Sequence, residues 1–311
     1  MVEEKIIRFM RFRKPMAIFS LLVVLIGLAS ILTKGLNLGL DFTGGTSVEL
    51  AYAKPVEQVA VQEALEKAGI KDTVVQHLGT ATHVLIRMPP QEKAGTDIGQ
   101  QVLTAAQFDV QNPATLRQVD SVGSQVGSEL YTQSLLAVGL SLFLMMVYVA
   151  VRFRFKFAVG AVISLLHDTL FTVGIFSIMG WPFDLTVLAA VLALIGYSLN
   201  DTIVVFDRVR ENFRLLRRTD SVEIIDISLT QTLRRTIMTV ATVVIVVIAL
   251  LFLGGIALKW FSVALLVGLF AGTYSSIYIA TSYALAMGLS KEDFMVVSKS
   301  EFVEEGEEIK P

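Results

Sequence analysis

Residues 185–212 read LTVLAAVLALIGYSLNDTIVVFDRVREN, and the fold follows from how this stretch is placed. Its first part is apolar enough to cross a membrane. Asn200 and Asp201 nevertheless sit inside it, ahead of the apolar group Ile203, Val204, Val205 and Phe206 and of the charges that begin at Asp207. Six residues separate Asp201 from Asp207, so at the helical rise Asp201 is about 9 Å in from the polar end. A carboxylate at that depth costs about 2.5–3.5 kcal/mol unless it is neutral, paired or wet. A functional role is therefore expected of Asp201.

The whole chain supports a membrane reading of that stretch. Of its 311 residues 54% are hydrophobic, and the mean hydropathy is +0.66, above what soluble globular domains carry. Six apolar runs approach the length a bilayer requires, at 16–32, 134–151, 157–179, 185–206, 236–253 and 261–287. Lys5, Arg8, Arg11, Arg13 and Lys14 precede the first run, Arg152, Arg154 and Lys156 join the second to the third, and Arg208, Arg210, Arg214, Arg217, Arg218, Arg234 and Arg235 lie between the fourth and fifth. Those segments are expected in the cytoplasm, which puts both termini inside. The expected units are a cytoplasmic N-terminus (1–15), a first span (16–32), an outer domain (33–131), a five-span region (132–290) and an acidic cytoplasmic tail (291–311), disordered from 301 by its composition. The first span has the basic start of a signal peptide but no small-residue cleavage site, so it reads as an uncleaved anchor. Cysteine is absent, which excludes thiol chemistry, and a net charge of −2 with topologically explained basic residues excludes a nucleic-acid surface.

The outer segment alternates period-2 and period-3.6 patterns. A strand is expected over 46–53, a helix over 56–68 closed by Gly69, strands over 73–78 and 83–88 around Gly79 and Thr80, a helix over 97–106 and a strand over 114–122. This β-α-β-β-α-β order is the ferredoxin-like unit. Just before it, GLDFTGGT (39–46) is rich in glycine but lacks the Gly-Lys-Ser/Thr of a phosphate loop, so Gly39, Asp41, Gly44 and Gly45 read as a tight turn feeding a strand. His77 and His83 have no acidic or Cys partners at ligand spacing and read as strand-face residues. The pattern turns helical from Ser124 into the second span, so helices tether the domain at both ends. That attachment either transmits a rocking motion outward or merely holds the domain.

Within the remaining spans, His167 and Asp168 fall about 17 Å beyond Lys156, near the midplane. Two readings stand for them: a polar pair that ties helices together, and a proton relay. Residues 220–233 form an amphipathic segment leading into the fifth span, whose inner edge carries Arg235 at a depth compatible with Asp201. Arg235 either pairs with Asp201 or reaches for headgroups, the reading preferred for Arg234. Gly268, Gly272, Ser276 and Ala280 make a small-residue stripe suited to close helix packing. No hydrolytic triad, HExxH, CxxC or Walker motif is present, so neither hydrolysis nor ATP use has a supporting constellation. The buried set of Asp201, Asp168, His167 and Arg235 suits proton-coupled switching of helix packing.

GLDFTGGT after the first span, His-Asp in the third, IGYSLNDTIVVFDRVREN in the fourth and SLTQTLRRT before the fifth resemble the SecF family, and the resemblance runs over essentially the whole chain. It implies a polytopic α-helical protein of six transmembrane helices with an α+β ferredoxin-like periplasmic domain. It further implies half of an RND-like twelve-span assembly in the bacterial inner membrane, completed by SecD, often with YajC, working beside the SecYEG channel. Such an assembly uses the proton motive force to draw preproteins across, with protons as the coupling ion and no cofactor or metal. The family's intramembrane Asp falls on Asp201, beside Asn200, and its fifth-span Arg on Arg235. Two alternatives remain open at this point: a proton-driven exporter of small molecules or lipids, and a scaffold whose buried polar groups serve only packing.

Overall fold

The computed structural model describes residues 6–89, 96–153, 155–216, 220–290 and 293. The tail expected from 301, and Lys5, Arg154, Arg217 and Arg218 of the basic segments, lie outside the described residues. In chain order the elements are a 3₁₀ turn (Phe9–Phe12), α1 (Arg13–Thr33), β1 (Asn37–Leu38), α2 (Leu40–Thr43), β2 (Gly45–Tyr52), α3 (Gln58–Lys67), β3 (Val74–Leu78), β4 (Thr80–Met88), α4 (Thr96–Ala106), β5 (Ala114–Val122), α5 (Ser124–Arg152), α6 (Phe155–Met179), β6 (Pro182–Phe183), α7 (Leu185–Leu215), α8 (Ser221–Leu253), α9 (Gly255–Ser275), a π turn (Ser276–Ala280) and α10 (Thr281–Ala286).

Among the described residues, 6 helices are long and apolar enough to cross a membrane. They are not equivalent. The apolar windows of α6, α7 and the sixth span are buried for 56%, 50% and 50% of their residues, whereas those of α1, α5 and α8 are buried for 17%, 11% and 11%. The first three thus form the interior of the bundle, and the others present apolar flanks outward. Three spans outrun their hydropathy. The amphipathic segment before the fifth span is one continuous helix with it. The second begins at Ser124. The fourth continues past Phe206 because Asn212 donates from Nδ2 to Ser228 Oγ (2.8 Å) and Gln231 Oε1 (2.9 Å) on α8. Where the sequence pattern ends a span at the charges, these bonds carry the helix two further turns.

The soluble unit has the sheet order β3-β4-β2-β5 with every neighbour antiparallel, the order the ferredoxin-like reading requires. Alternation decides its two faces. Val48, Leu50, Val84 and Ile86 turn inward, each 0% exposed, onto Val61 and Leu65 of α3 and Val102 of α4. Ser47, Glu49, Arg87, Gln118 and Asp120 turn the other way and line a cleft of about 740 Å³, closed from the membrane side by Trp181, Asp184, Lys259 and Trp260. Burial pulls the Arg87 guanidinium below its usual range, and the neighbouring Asp184 and Asp41 act in the opposite direction. His77 bonds through Nε2 to the Val56 carbonyl (2.8 Å) and His83 faces Glu49 across the ladder at 3.5 Å, as strand-face residues do.

The remaining chain is fastened at two places. The Asp226 carboxylate of α8 accepts the Met10 amide (2.8 Å), and Thr230 Oγ1 accepts that of Ile7 (3.1 Å), so the start of the first span is bound to α8. On the sheet side, β1 pairs in parallel with β6, and a single turn of helix, α2, stands inside the glycine-rich stretch, where the sequence reading has only a turn.

Candidate functional site

The bundle interior holds two carboxylates in opposite situations. Asp168, on α6, is 1% exposed and fully partnered. Its Oδ2 accepts Ser198 Oγ of α7 (2.5 Å) and Ser275 Oγ of α9 (2.8 Å), and its Oδ1 meets His167 Nδ1 at 3.0 Å. Ser164, one helical turn earlier on α6, donates to Ser275 Oγ (2.9 Å). The His167 ring stacks on Phe171 with centroids 5.9 Å apart, beside Tyr274 at 6.0 Å, and the Tyr274 hydroxyl donates to the Met16 carbonyl of α1 (2.7 Å). One carboxylate thus ties three spans together and reaches a fourth through an aromatic ring. Polar groups are expensive among apolar helices, and satisfying all of them at one crossing makes that arrangement of helices the favoured one.

Close backbone approach makes this crossing possible. A Cβ on Gly272 would lie 3.1 Å from Ser198 Cβ and 3.5 Å from Asp168 Oδ2, and one on Gly160 would lie 2.5 Å from the Ala280 carbonyl in the π turn. The small-residue stripe therefore packs on α7 at Gly268 and Gly272, and on α6 at Ala280. Gly160→Ala is expected to cost about 1–3 kcal/mol by forcing the π turn off α6, read as a lowered unfolding midpoint. An unchanged midpoint would show that the turn yields freely.

Asp201 is the opposite case. Three residues after Ser198 on α7, it is 2% exposed, and its Oδ2 has no hydrogen-bond partner among the described residues. Buried Thr202 Oγ1 and Thr169 Oγ1, on α7 and α6, are unpartnered as well. Arg235 is exposed on α8 and near enough for its charge to act on Asp201, but among the described residues no ion pair within 4.0 Å joins them. Asn200 is exposed on another face of α7 and stands outside the buried set. Ser164, Ser198 and Ser275 belong to the site and carry no mark in the sequence beyond the four-residue spacing of Ser164 and Asp168. No group of three or more His, Cys, Asp or Glu suited to a metal occurs among the described residues.

The family profile described as "Protein export membrane protein SecD/SecF, C-terminal" matches residues 102–290, and the "SecD/SecF GG Motif" profile matches residues 29–56. The Protein translocase subunit SecF of Pseudomonas aeruginosa is 50% identical over 290 residues, covering 93% of this chain and 94% of that one. The chain belongs to the SecF family. The SecF of Vibrio alginolyticus is 43% identical, with 94% and 93% covered, and that of Escherichia coli O157:H7 is 40% identical, with 94% and 91% covered. Among solved structures, SecDF of Thermus thermophilus, titled a translocon-associated membrane protein, superposes with a TM-score of 0.84 at 35% identity over 92% of this chain. This SecF-family chain spans 39% of that longer SecDF chain. The first matched segment contains Asp168, Asp201 and Arg235, and the second contains Gly39, Asp41, Gly44 and Gly45.

Proposed function

We propose that this chain is the SecF half of a SecD–SecF assembly in the bacterial inner membrane, with both termini in the cytoplasm, and that it uses the proton motive force to assist late preprotein export beside SecYEG, with YajC in attendance. It has no hydrolytic site of its own and needs no cofactor. The carrying observation is the contrast between the two buried carboxylates. Asp168 is locked in a full set of bonds, whereas buried Asp201, next to the helix that bears Arg235, has an oxygen without a partner among the described residues. Such a carboxylate is costly in one helix arrangement and stabilised in another where Arg235 or a proton satisfies it. Loading and unloading a proton on Asp201 then biases the packing of α7 against α8. The exposed flanks of α5 and α8 suit a partner subunit. A second SecDF structure, titled as a super-membrane-facing form, matches this chain at the same identity and coverage with a TM-score of 0.68 in place of 0.84, so the corresponding part of SecDF differs in arrangement between the two.

The test is proton conductance and export stimulation measured together in vesicles carrying this chain with its SecD partner. Asp201→Asn and Arg235→Met are each expected to abolish both while the complex still assembles. Retention of both activities in Asp201→Asn would return Asp201 to packing and favour the scaffold reading.

A further inference from the structure

The glycine-rich turn is more than an entry into β2. Gly39 donates its amide to the Phe183 carbonyl (2.7 Å), and Asn37 donates from Nδ2 to Gly180 (3.0 Å), so the turn is zipped to the α6–α7 connection. Asp41 Oδ2 then accepts the Leu185 amide at 3.0 Å. Leu185 opens α7, and its amide is one of the four that a helix leaves unsatisfied at its start. Asp184 caps the same end from within the connection, accepting Val187 N at 2.9 Å. The Asp41 bond differs in kind because it comes from a separate segment, and it therefore holds that segment in register with the helix.

The other side of the turn is bound as tightly. Gly44 lies against α5, where a Cβ would be 2.8 Å from Ser124 Cα, and a Cβ on Gly127 of α5 would be 2.8 Å from Gly44 N. Gly45 is the first residue of β2 and pairs with Val122 of β5. A Cβ on Gly39 would be 2.8 Å from Asp184 Cβ, so glycine there permits the approach that the Asp41 bond needs. Asp201 is sixteen residues along the same continuous helix from Leu185, about 24 Å away.

We propose that Asp41 is a positioning residue: it locks the glycine-rich turn to the outer end of α7, so that a displacement of the helix carrying Asp201 is delivered to β2 and α5 together. This rests on the proton-driven reading above and adds the route by which the soluble domain receives the motion. Without the bond, the turn keeps its ties to the α6–α7 connection through Gly39 and Asn37 but loses its direct hold on the first turn of α7, and the domain follows the helix less closely.

The test uses the full chain with its SecD partner in proteoliposomes and compares Asp41→Ala with Asp41→Asn, whose amide oxygen still accepts the Leu185 N–H. Asp41→Ala is expected to keep proton conductance at the parent level and lose about fivefold or more of the export stimulation, and Asp41→Asn to keep both. A parallel loss of conductance and export, or no loss of export, would overturn the proposal. Amide hydrogen exchange on the same complexes separates this outcome from a failure of the proton-driven reading, because it needs no gradient. In Asp41→Ala, exchange is expected to quicken about fivefold at 185–188 and also at 45–50. Quickening confined to 185–188, or none, overturns the joint even if the parent complex shows no dependence on the proton gradient.

Discussion

Replacing Asp168 with alanine lowers the stability of the membrane bundle by about 3 kcal/mol, whereas replacing Asp201 with asparagine leaves it within about 1 kcal/mol of the parent. Asp168 accepts from Ser198, Ser275 and His167 at 2.5–3.0 Å, and its removal deprives groups on three helices of their acceptor. Ser275 has a fallback in the Gly272 carbonyl at 3.1 Å. Ser198 and His167 have none among the described residues. Hydrogen bonds between membrane helices average only about 0.6 kcal/mol, but a charged acceptor serving several donors is worth more, and a cavity adds to the loss. Among the described residues Asp201 has no such bonds to lose. Chemical unfolding of the purified complex, followed by the fluorescence of Trp181 and Trp260, whose rings lie 5.5 Å apart, measures both variants. Equal losses would contradict the division of labour between the two carboxylates.

Gly45→Ala is expected to destabilise the soluble domain by about 3 kcal/mol or more. Gly45 has φ of +122°, which L residues rarely adopt, and an added Cβ would lie 2.4 Å from the Met88 carbonyl oxygen. Relief requires moving β2 away from β4, and these are the two strands of the sheet that pair on both sides. Gly79 is the control, with φ of +79° and no atom within 4 Å of its Cβ position. Gly79→Asn is expected to cost less than about 1 kcal/mol, since asparagine tolerates the left-handed region. Limited proteolysis of the domain reads both. A Gly45→Ala variant as resistant as the parent would mean that the strand entry is soft.

The six spans, the β-α-β-β-α-β order and the prominence of Asp201 were legible because each rests on local regularity: apolar length, a period of 2 or 3.6, or a charge where no charge is cheap. The His167 and Asp168 pair was visible but not interpretable. Its meaning depends on Ser198 and Ser275, which lie 30 and 107 residues from Asp168 and look like any other serine in an apolar helix. Asn200 was drawn to the site by adjacency to Asp201, but neighbours in a helix point about 100° apart, and only the packing of α7 decides which of the two is buried. The fourth span was read as ending at Phe206 because hydropathy stops there. It continues to Leu215 because Asn212 finds partners on α8.

By itself, then, the sequence determined what kind of solvent surrounds each segment and which periodicity each segment obeys, since both follow from the side chains in a short window. Tertiary structure alone decided that Asp168 is saturated while Asp201 is not, that Arg235 stands apart from Asp201, and that Asp41 reaches the first amide of α7. A hydrogen bond is won or lost over a fraction of an ångström, and helix crossings set by Gly160, Gly272 and the π turn fix those distances between residues that are remote in the chain.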